Sequence, residues 1–333
     1  MRVLLLPCLA FAFQAATVPA WAWGADGHRL IGELAMKGLP APLPAFLRTP
    51  AAAATVGWLA PEPDRIRGAG IVSDKEHDPA HFVDADDDLT VLGGPALKAL
   101  PATREDYDTA LRAVNSSQYK AGYLPYSIQA GYELVRKEMA LWRLDVVGAR
   151  YAPSKAGRAA YAADRPRREA QLLRDIGLWS HFVGDGSQPL HVTVHFNGWG
   201  DYPNPRGFTT DRIHSPFEAD YVHANVTAAM VKTAMPAPRD CGCAITLRIA
   251  DYLGGTAAAM IPLYTLWKAG DFAAPTPAGT RFATLQVARG AAELRDLIVM
   301  AWNDSSDTLV GYPGVRISEV EQGRAAALAK LRE

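Results

Sequence analysis

Two histidine–carboxylate pairs have the spacing that places both side chains on one face of a helix. His181 and Asp185 are four residues apart, as are His214 and Glu218, and helix positions i and i+4 lie one above the other. His191 lies between the two pairs. Imidazole and carboxylate groups suit zinc, which takes three or four such ligands. The pairs therefore predict metal ligation, although one such pair alone is more often a solvated surface pair.

Two further histidines extend this set. His81 belongs to the stretch His81-Phe-Val-Asp84, and His28 follows Trp23 by five residues. A plainer interpretation stays open as well. In it, the histidines are core residues bonded to backbone carbonyls, and the carboxylates end helices or form a solvated acidic loop over 84–88.

The first 22 residues have the three parts of a secretory signal peptide. A positively charged start is followed by the apolar run Val3–Phe13 and by the small-x-small site Ala20-Trp21-Ala22. The run is shorter than the ~20 residues that a bilayer needs. Cleavage after Ala22 would leave residues 23–333 as a single domain that begins with Trp23. We therefore expect a secreted or periplasmic protein.

Composition indicates a folded globular chain. Of 333 residues, 49% are hydrophobic and 21% are charged, which excludes a disordered tail, a collagen-like repeat and a coiled coil. The 34 basic and 35 acidic residues give a net charge of −1, so no global basic field could hold a polyanion by charge alone. Beyond the first 22 residues, no segment is long and apolar enough to predict a membrane span.

Helical spacing dominates the chain and predicts an all-α fold. Thr103 and Asp106 form a capping-box pattern at the start of one predicted helix. The predicted helices are Thr103–Val114, Tyr126–Val147, Arg167–Val183, Ala219–Met235, Ala244–Trp267, Arg281–Trp302 and Ser318–Leu331. Long loops are predicted over Leu39–Pro50, Pro61–Pro79 and Gly198–Gly207.

Cysteine usage excludes a disulfide scaffold. Cys8 would leave with the signal peptide, and only Cys241 and Cys243 would remain. These two could form a tight local disulfide in an oxidising compartment or stay as thiols. In either case a large core must stabilise the fold.

Three stretches together resemble one protein family. They are Trp23-Gly-Ala-Asp-Gly-His28, His81-Phe-Val-Asp84 and His181-Phe-Val-Gly-Asp185-Gly-Ser-Gln-Pro-Leu-His191, and they are similar to motifs of the S1/P1 nucleases. That family belongs with the zinc-dependent phospholipases C in one superfamily. The resemblance implies a single multi-helix domain with long loops lining a cleft, three zinc ions in that cleft, and hydrolysis of phosphodiesters.

The resemblance also implies a ligand set. Trp23, through its α-amino nitrogen and main-chain oxygen, would bind one zinc ion together with His28. The second ion would be held by Asp64, His81 and His181, the third by His191, His214 and Glu218, and Asp185 would bridge the first two. Because Pro61-Glu62-Pro63 departs from the usual lead-in to Asp64, Glu62 is an alternative ligand at this position.

Catalytic and substrate-binding roles follow from the same resemblance. Two bridged zinc ions lower the pKa of a shared water, with Asp64 or Asp185 orienting the resulting nucleophile. Arg67 matches a basic nuclease position and could bind phosphate through its planar fork, or could be a surface cation. Asp84 matches a base-contacting position, or could support His81. Asn197 stands near the place of a missing Gly-Gly-Asn stretch and is predicted to bind substrate.

The substrate class has three alternatives. The nuclease alternative, hydrolysis of single-stranded DNA or RNA to 5′-nucleotides, is favoured by the short Trp23-to-His28 spacing and by Asp64 with Arg67. A phospholipase C acting on phosphatidylcholine-like lipids is the second, because Glu218 occupies a position where the phospholipases have Glu. A secreted zinc-binding protein without turnover is the third. Loop aromatic residues could stack on bases or meet lipid: Tyr123, Trp199, Tyr202 and Phe208. No stable protein partner is implied.

Overall fold

Two long antiparallel helices form the centre of the computed structural model, which describes residues 23–329. Helix α7 (Leu124–Tyr151) and helix α8 (Lys155–Asp185) are joined by three residues. Glycines allow their close approach: a Cβ at Gly148 would lie 2.3 Å from a ring carbon of Tyr161. At the other end, a Cβ at Gly131 would lie 2.0 Å from the Trp179 ring.

Three more helices complete the layer around this pair. Helix α1 (Gly24–Lys37) packs against α2 (Pro50–Leu59), and α13 (Pro277–Ser305) packs against α1, α7 and α8. Thr49 caps α2 by accepting a hydrogen bond from the backbone N–H of Ala52, as expected of Thr before a first-turn proline. These helices enclose one large apolar core, and a smaller cluster lies beneath the C-terminal elements.

The remaining described elements are short. The α-helices are α3 (Glu62–Arg65), α4 (Ile71–His77), α5 (Arg104–Arg112), α6 (Gln118–Ala121), α9 (Val222–Asn225), α10 (Ala228–Ala234), α11 (Ile245–Ala257), α12 (Met260–Ala269) and α14 (Ile317–Leu328). Strands β1 (Leu309–Val310) and β2 (Val315–Arg316) form an antiparallel hairpin. Single 3-10 turns occupy Ala45–Arg48, Asp78–His81, Leu97–Ala99 and Pro189–His191, and Pro216–Tyr221 is a π-helical turn.

The mostly helical, single-domain fold confirms the predicted class. The capping prediction is also confirmed, since Thr103 accepts a hydrogen bond from the backbone N–H of Asp106 at the start of α5. Predicted helices match α5, α7, α13 and α14 to within a few residues. The loop over 198–207 is confirmed, and Cys241 and Cys243 form a disulfide.

Several predicted boundaries are wrong. The helix expected over 167–183 begins twelve residues earlier and runs through Pro166, because its first half packs against α7. The helix expected over 219–235 is interrupted at Val226, which is extended, and Thr227 caps a new helix. The helix expected over 244–267 is interrupted after Ala257.

The prediction of a loop over 61–79 is also wrong, since this segment contains α3 and α4. Pro63 lies in the first turn of α3, where proline starts a helix instead of breaking it. The predicted signal peptide lies outside the described residues. Within 23–329, none of the helices combines the length and apolar character required to cross a bilayer.

Candidate metal centre

The ends of several elements bring the predicted ligands together. His28 comes from α1, Asp64 from α3 and His81 from the end of a 3-10 turn. The last turn of α8 and the following 3-10 turn supply His181, Asp185 and His191, and the region around the π-helical turn supplies His214 and Glu218. All of these side chains are buried.

These residues form three groups that could hold metal ions, with the ligand atoms of each group within 4.8 Å of one another. The groups are His28, His181 and Asp185; Asp64, His81 and His181; and His191, His214 and Glu218. His181 belongs to both of the first two groups. The second and third groups match the predicted ligand sets for two ions.

Asp185 lies where the groups meet. Its Oδ1 is 3.5 Å from His28 Nε2 and 3.8 Å from His191 Nδ1, and its Oδ2 is 3.4 Å from His181 Nε2. Both oxygens are buried and form no hydrogen bond with any described residue. A buried carboxylate normally has hydrogen-bond partners, so its two oxygens are available to cations on two sides.

Carboxylate-to-imidazole distances in the second and third groups run from 3.0 to 3.8 Å, which brackets the spacing of a tetrahedral ion's ligands. Two atoms bound at 2.0–2.1 Å to such an ion lie roughly 3.3–3.4 Å apart. Glu218 Oε2 is 3.4 Å from His191 Nε2 and 3.0 Å from His214 Nε2. Asp64 Oδ1 is 3.7 Å from His81 Nε2 and 3.8 Å from His181 Nε2.

Backbone carbonyls orient four of the imidazoles. Nδ1 of each ring lies within hydrogen-bond distance of a main-chain oxygen: His81 to His77 at 3.0 Å, His181 to Ala60 at 2.9 Å, His191 to His81 at 2.6 Å and His214 to Phe196 at 2.8 Å. A carbonyl can only accept, so a proton is assigned to Nδ1 of each ring. In His81 and His181 the lone pair of Nε2 then faces the group, whereas Nε2 of His191 and of His214 faces Glu218. This is the orientation that supports metal-bound histidines.

The electrostatics of the cluster favour added positive charge. Burial, together with the charges of Asp64 and Glu218, raises the pKa of Asp185 well above its usual value. Burial and the charge of Arg67 lower the pKa of His81 to about 3. Burial also lowers the pKa of His181 well below its usual value, so His81 and His181 stay neutral. The crowded carboxylates therefore lack compensating charge that a divalent cation would supply.

In the pair formed by His214 and Glu218, the pKa shifts have the opposite directions to those of His81 and Asp185. Burial opposes ionisation of Glu218, but the charge of His214 and hydrogen bonds from His191 and His214 outweigh burial and lower the pKa of Glu218 to about 2. Burial likewise opposes the charge on His214, and Glu218 outweighs it and raises the pKa of His214.

The main-chain nitrogen of Trp23 lies at this cluster. It donates to Glu218 Oε2 at 3.2 Å, and the indole Nε1 donates to Gly184 O at 2.8 Å and to Ser187 Oγ at 3.0 Å. The side chain is fully buried. The nitrogen thus reaches the centre, on the side of the third group.

Asp64, and not Glu62, enters the cluster. Glu62 pairs with the exposed Arg65, whereas Asp64 is buried beside His81 and His181. Arg67 stands at the edge of the cluster, half-buried, with Nη1 3.6 Å from Asp64 Oδ1. Its Nε donates to Asp78 Oδ1 at 3.0 Å, which directs the guanidinium toward the centre.

The two predicted substrate-binding residues have different surroundings. Asp84 is half-buried, and its backbone N–H donates to Ala121 O. Burial and the charge of Asp86 raise its pKa to about 8. Asn197 Oδ1 accepts a hydrogen bond from the backbone N–H of His214 at 3.2 Å, so this side chain positions a member of the third group.

Most of the predicted aromatic platform is buried. Tyr123, Trp199 and Phe208 belong to the core, and only Tyr202 of the four is well exposed, at 42%. Sequence analysis missed Phe196, which is 48% exposed and whose carbonyl holds the His214 ring.

Gln188 was also missed. Its Nε2 donates to Glu218 Oε2 at 3.0 Å, and its Oε1 accepts from the backbone N–H of Leu190. Its position between His181 and His191 in the sequence could have indicated a role at the centre. The side chain is fully buried, and a buried amide must have hydrogen-bond partners.

No protein-family model matches the chain, and no curated protein matches it significantly. The inference that the three groups could hold metal ions therefore depends on the side chains themselves.

Proposed function

We propose that this protein is an exported phosphodiesterase of the S1/P1 type that uses three zinc ions. The observation that carries the proposal is Asp185, whose two buried oxygens face different imidazoles, Oδ1 that of His28 and Oδ2 that of His181. A carboxylate in this position costs free energy unless cations balance it. An ordinary core histidine–aspartate pair would not leave both oxygens without hydrogen bonds.

Zinc fits the donor set best. The groups contain only imidazole nitrogens and carboxylate oxygens, all of them buried, and His181 is shared between two groups. Three protein ligands are the usual number at a catalytic zinc site, so one of the two groups that share His181 needs a further ligand. Bound zinc lowers the pKa of water and neutralises charge on phosphate oxygens. Removal of residues 1–22 would convert the Trp23 nitrogen into an amine able to join the set.

The protein's own residues would orient the substrate and the nucleophile. Arg67, at the edge of the centre, would bind a non-bridging phosphate oxygen through its guanidinium. Asp64 or Asp185 would accept a hydrogen bond from the attacking water and hold it in line with the scissile P–O bond. The backbone-bonded imidazoles would keep this geometry fixed during the reaction.

Single-stranded nucleic acid is the substrate that we favour. Phe196 is exposed, and its own carbonyl bonds the His214 ring, so a base could stack beside the scissile phosphate. Stacking on an aromatic side chain is worth ~1–3 kcal/mol per base. We expect single-stranded DNA and RNA to be cut to 5′-nucleotides.

Exposed aliphatic side chains favour a second candidate, phospholipase C activity. Ile66, Ile71 and Val72 are all exposed and lie between Asp64 and His81 in the chain. Such a patch could enter the surface of a lipid aggregate. An aliphatic patch cannot stack on bases as a ring does, so substitution separates the two activities.

A substrate panel tests the proposal. Zinc-loaded protein beginning at Trp23 is assayed on single-stranded DNA, RNA, 3′-AMP and phosphatidylcholine vesicles, with and without chelator. We expect chelator-sensitive loss of polynucleotide and a drop of about fivefold or more in kcat/KM for Phe196→Ala. Tyr312→Ala, at an exposed residue of the hairpin turn, is the matched control.

The other outcomes contradict the nuclease assignment. Release of phosphocholine without loss of polynucleotide, abolished by Ile71→Asp, would identify a phospholipase. Bound zinc without turnover on any of these substrates would identify a binding protein.

A further inference from the structure

The Cys241–Cys243 disulfide has no role in the centre described above. It closes a loop of three residues, Cys-Gly-Cys, whose middle residue is Gly242 with φ +57°. Both cysteines are half-buried, and the preceding segment, 236–240, is exposed. The disulfide is therefore accessible from solvent.

The surrounding backbone is anchored independently of this disulfide. The N–H of Arg239 donates to Asp296 Oδ2 at 3.0 Å, and its carbonyl accepts from Arg248 Nη1 at 3.1 Å. Arg295 Nη1 donates to the carbonyl of Pro236 at 2.9 Å. In addition, the entropic stabilisation from a disulfide increases with the length of the loop that it closes, and this loop has only three residues. Reduction should therefore leave the fold intact.

The start of α11 favours the thiolate form of the reduced cysteines. Ala244 is the N-cap residue, and no described side chain caps the helix there. The first-turn N–H groups and the positive end of the helix dipole thus lie next to Cys243, which lowers a thiol pKa. The N–H of Cys243 also donates to Cys241 Sγ at 3.3 Å.

Neighbouring side chains contribute charges of both signs. Arg239 is exposed beside the loop, whereas Arg248 is neutralised by Glu293 and Asp296. Asp240 accepts a hydrogen bond from the N–H of Gly242 and opposes thiolate formation. The uncapped N-terminus of α11 is therefore the main feature that favours thiolate formation.

Space for a reacting thiol exists beside the disulfide. A pocket of about 250 Å³ contacts both cysteines, and another of about 460 Å³ contacts Cys243. Arg239, Arg248 and Asp296 line both pockets, so an approaching thiolate meets charges of both signs.

We propose that Cys241–Cys243 is a thiol–disulfide exchange site that oxidises thiols. A thiolate attacks one sulfur, the Cys241–Cys243 bond breaks, and a mixed disulfide forms. A second thiolate displaces that cysteine, so two electrons and two protons pass to Cys241 and Cys243 and the thiols become a disulfide. A second disulfide, such as oxidised glutathione, restores the starting state by the reverse exchange.

Equilibration with glutathione tests the site. Folded protein is held in buffers of varied reduced and oxidised glutathione, free thiols are alkylated, and the reduced fraction is measured by mass spectrometry. The same titration is done on the protein unfolded in urea. We expect the folded environment to shift the equilibrium toward the dithiol by about twofold to fivefold, the strength of one helix end.

Two matched variants identify the cause. Ala244→Asp places a carboxylate at the helix end and should reverse the shift by about twofold to fivefold. Ala259→Asp does the same at α12, whose N-cap also lacks a side-chain cap among the described residues, and should leave the equilibrium unchanged.

A dithiol peptide is the second probe. We expect the protein to convert it to the disulfide, and the Cys241→Ser/Cys243→Ser double variant to be inactive in this exchange. Phosphodiester hydrolysis should be equal in both, so this proposal can fail without affecting the other. A disulfide held more tightly in the folded than in the unfolded chain, or reduced only on unfolding, would overturn the proposal.

Discussion

The main-chain nitrogen of Trp23 lies 3.2 Å from Glu218 Oε2, although 195 positions separate the two residues. The buried indole, bonded to Gly184 and Ser187, fixes this position. An amide nitrogen is a poor metal ligand, whereas a free amine is a good one. On the proposed function, removal of residues 1–22 would therefore supply a ligand to the metal centre.

An added residue before Trp23 should prevent this assembly. We expect protein with one extra methionine to bind one zinc ion fewer per chain and to turn over at least tenfold more slowly than protein that begins at Trp23. Elemental analysis and single-stranded DNA hydrolysis measure both effects. Equal zinc content and rate in the two forms would show that the amine is not a ligand.

Asp185→Asn should remove the link between two ions. The amide keeps the shape but loses the charge that balances cations on both sides, so we expect zinc content to fall and kcat to drop at least a thousandfold. Asp175→Asn, a buried aspartate on the same helix, is the control and should retain zinc. Full activity of Asp185→Asn would mean that the residue is not a bridge.

Arg67→Ala should weaken phosphate binding. A hydrogen bond to a charged group is worth about 1.5–3 kcal/mol, so kcat/KM should fall about tenfold to a hundredfold, with partial recovery in Arg67→Lys. Arg65→Ala removes a cation two residues away that pairs with Glu62, and its kcat/KM should be unchanged. Similar kcat/KM values in the two alanine variants would make Arg67 a surface cation.

Asp84 should make stability depend on pH. Burial and Asp86 raise its folded pKa from 3.8 to about 8, so the native state keeps a proton that the unfolded chain releases. The resulting stabilisation is complete below pH 3.8 and is lost as pH rises through about 8. In zinc-loaded protein, the free energy of unfolding should fall from pH 6 to 9.

Two variants test whether Asp84 causes this pH dependence of stability. Asp84→Asn should flatten the decline, because no proton is then exchanged on unfolding. Asp88→Asn should not, because the lowered pKa of this exposed carboxyl leaves it ionised in both states above pH 6. The free energy of unfolding is measured by urea denaturation between pH 6 and 9. An equal decline in wild type and Asp84→Asn would contradict the assignment to Asp84.

The sequence predicts the candidate centre better than the helix boundaries. Side-chain chemistry is local to the motifs: His181, Asp185 and His191 lie within eleven residues. Helix α8 places His181 and Asp185 as the i, i+4 spacing requires, and the following 3-10 turn supplies His191. Boundaries depend on distant packing. Helix α1 contains Gly27 and Gly32, which lower helix propensity, and it is stabilised by contacts with α2 and α13 instead.

Exposure could not be read from residue type. Trp199 and Phe196 are both aromatic residues in neighbouring loop positions, but Trp199 stacks on His195 with ring centroids 3.8 Å apart and is buried. The role of Asn197 was equally hidden, since its hydrogen bond to His214 joins two loops whose path is set by tertiary contacts.

The number of zinc ions bound per chain shows whether the three groups form a metal centre. Protein beginning at Trp23 is purified, dialysed against metal-free buffer and analysed by inductively coupled plasma mass spectrometry, with hydrolysis of single-stranded DNA measured on the same sample. We predict three zinc ions per chain and activity that chelator abolishes and zinc restores. Undiminished hydrolysis by protein containing no metal would contradict the account.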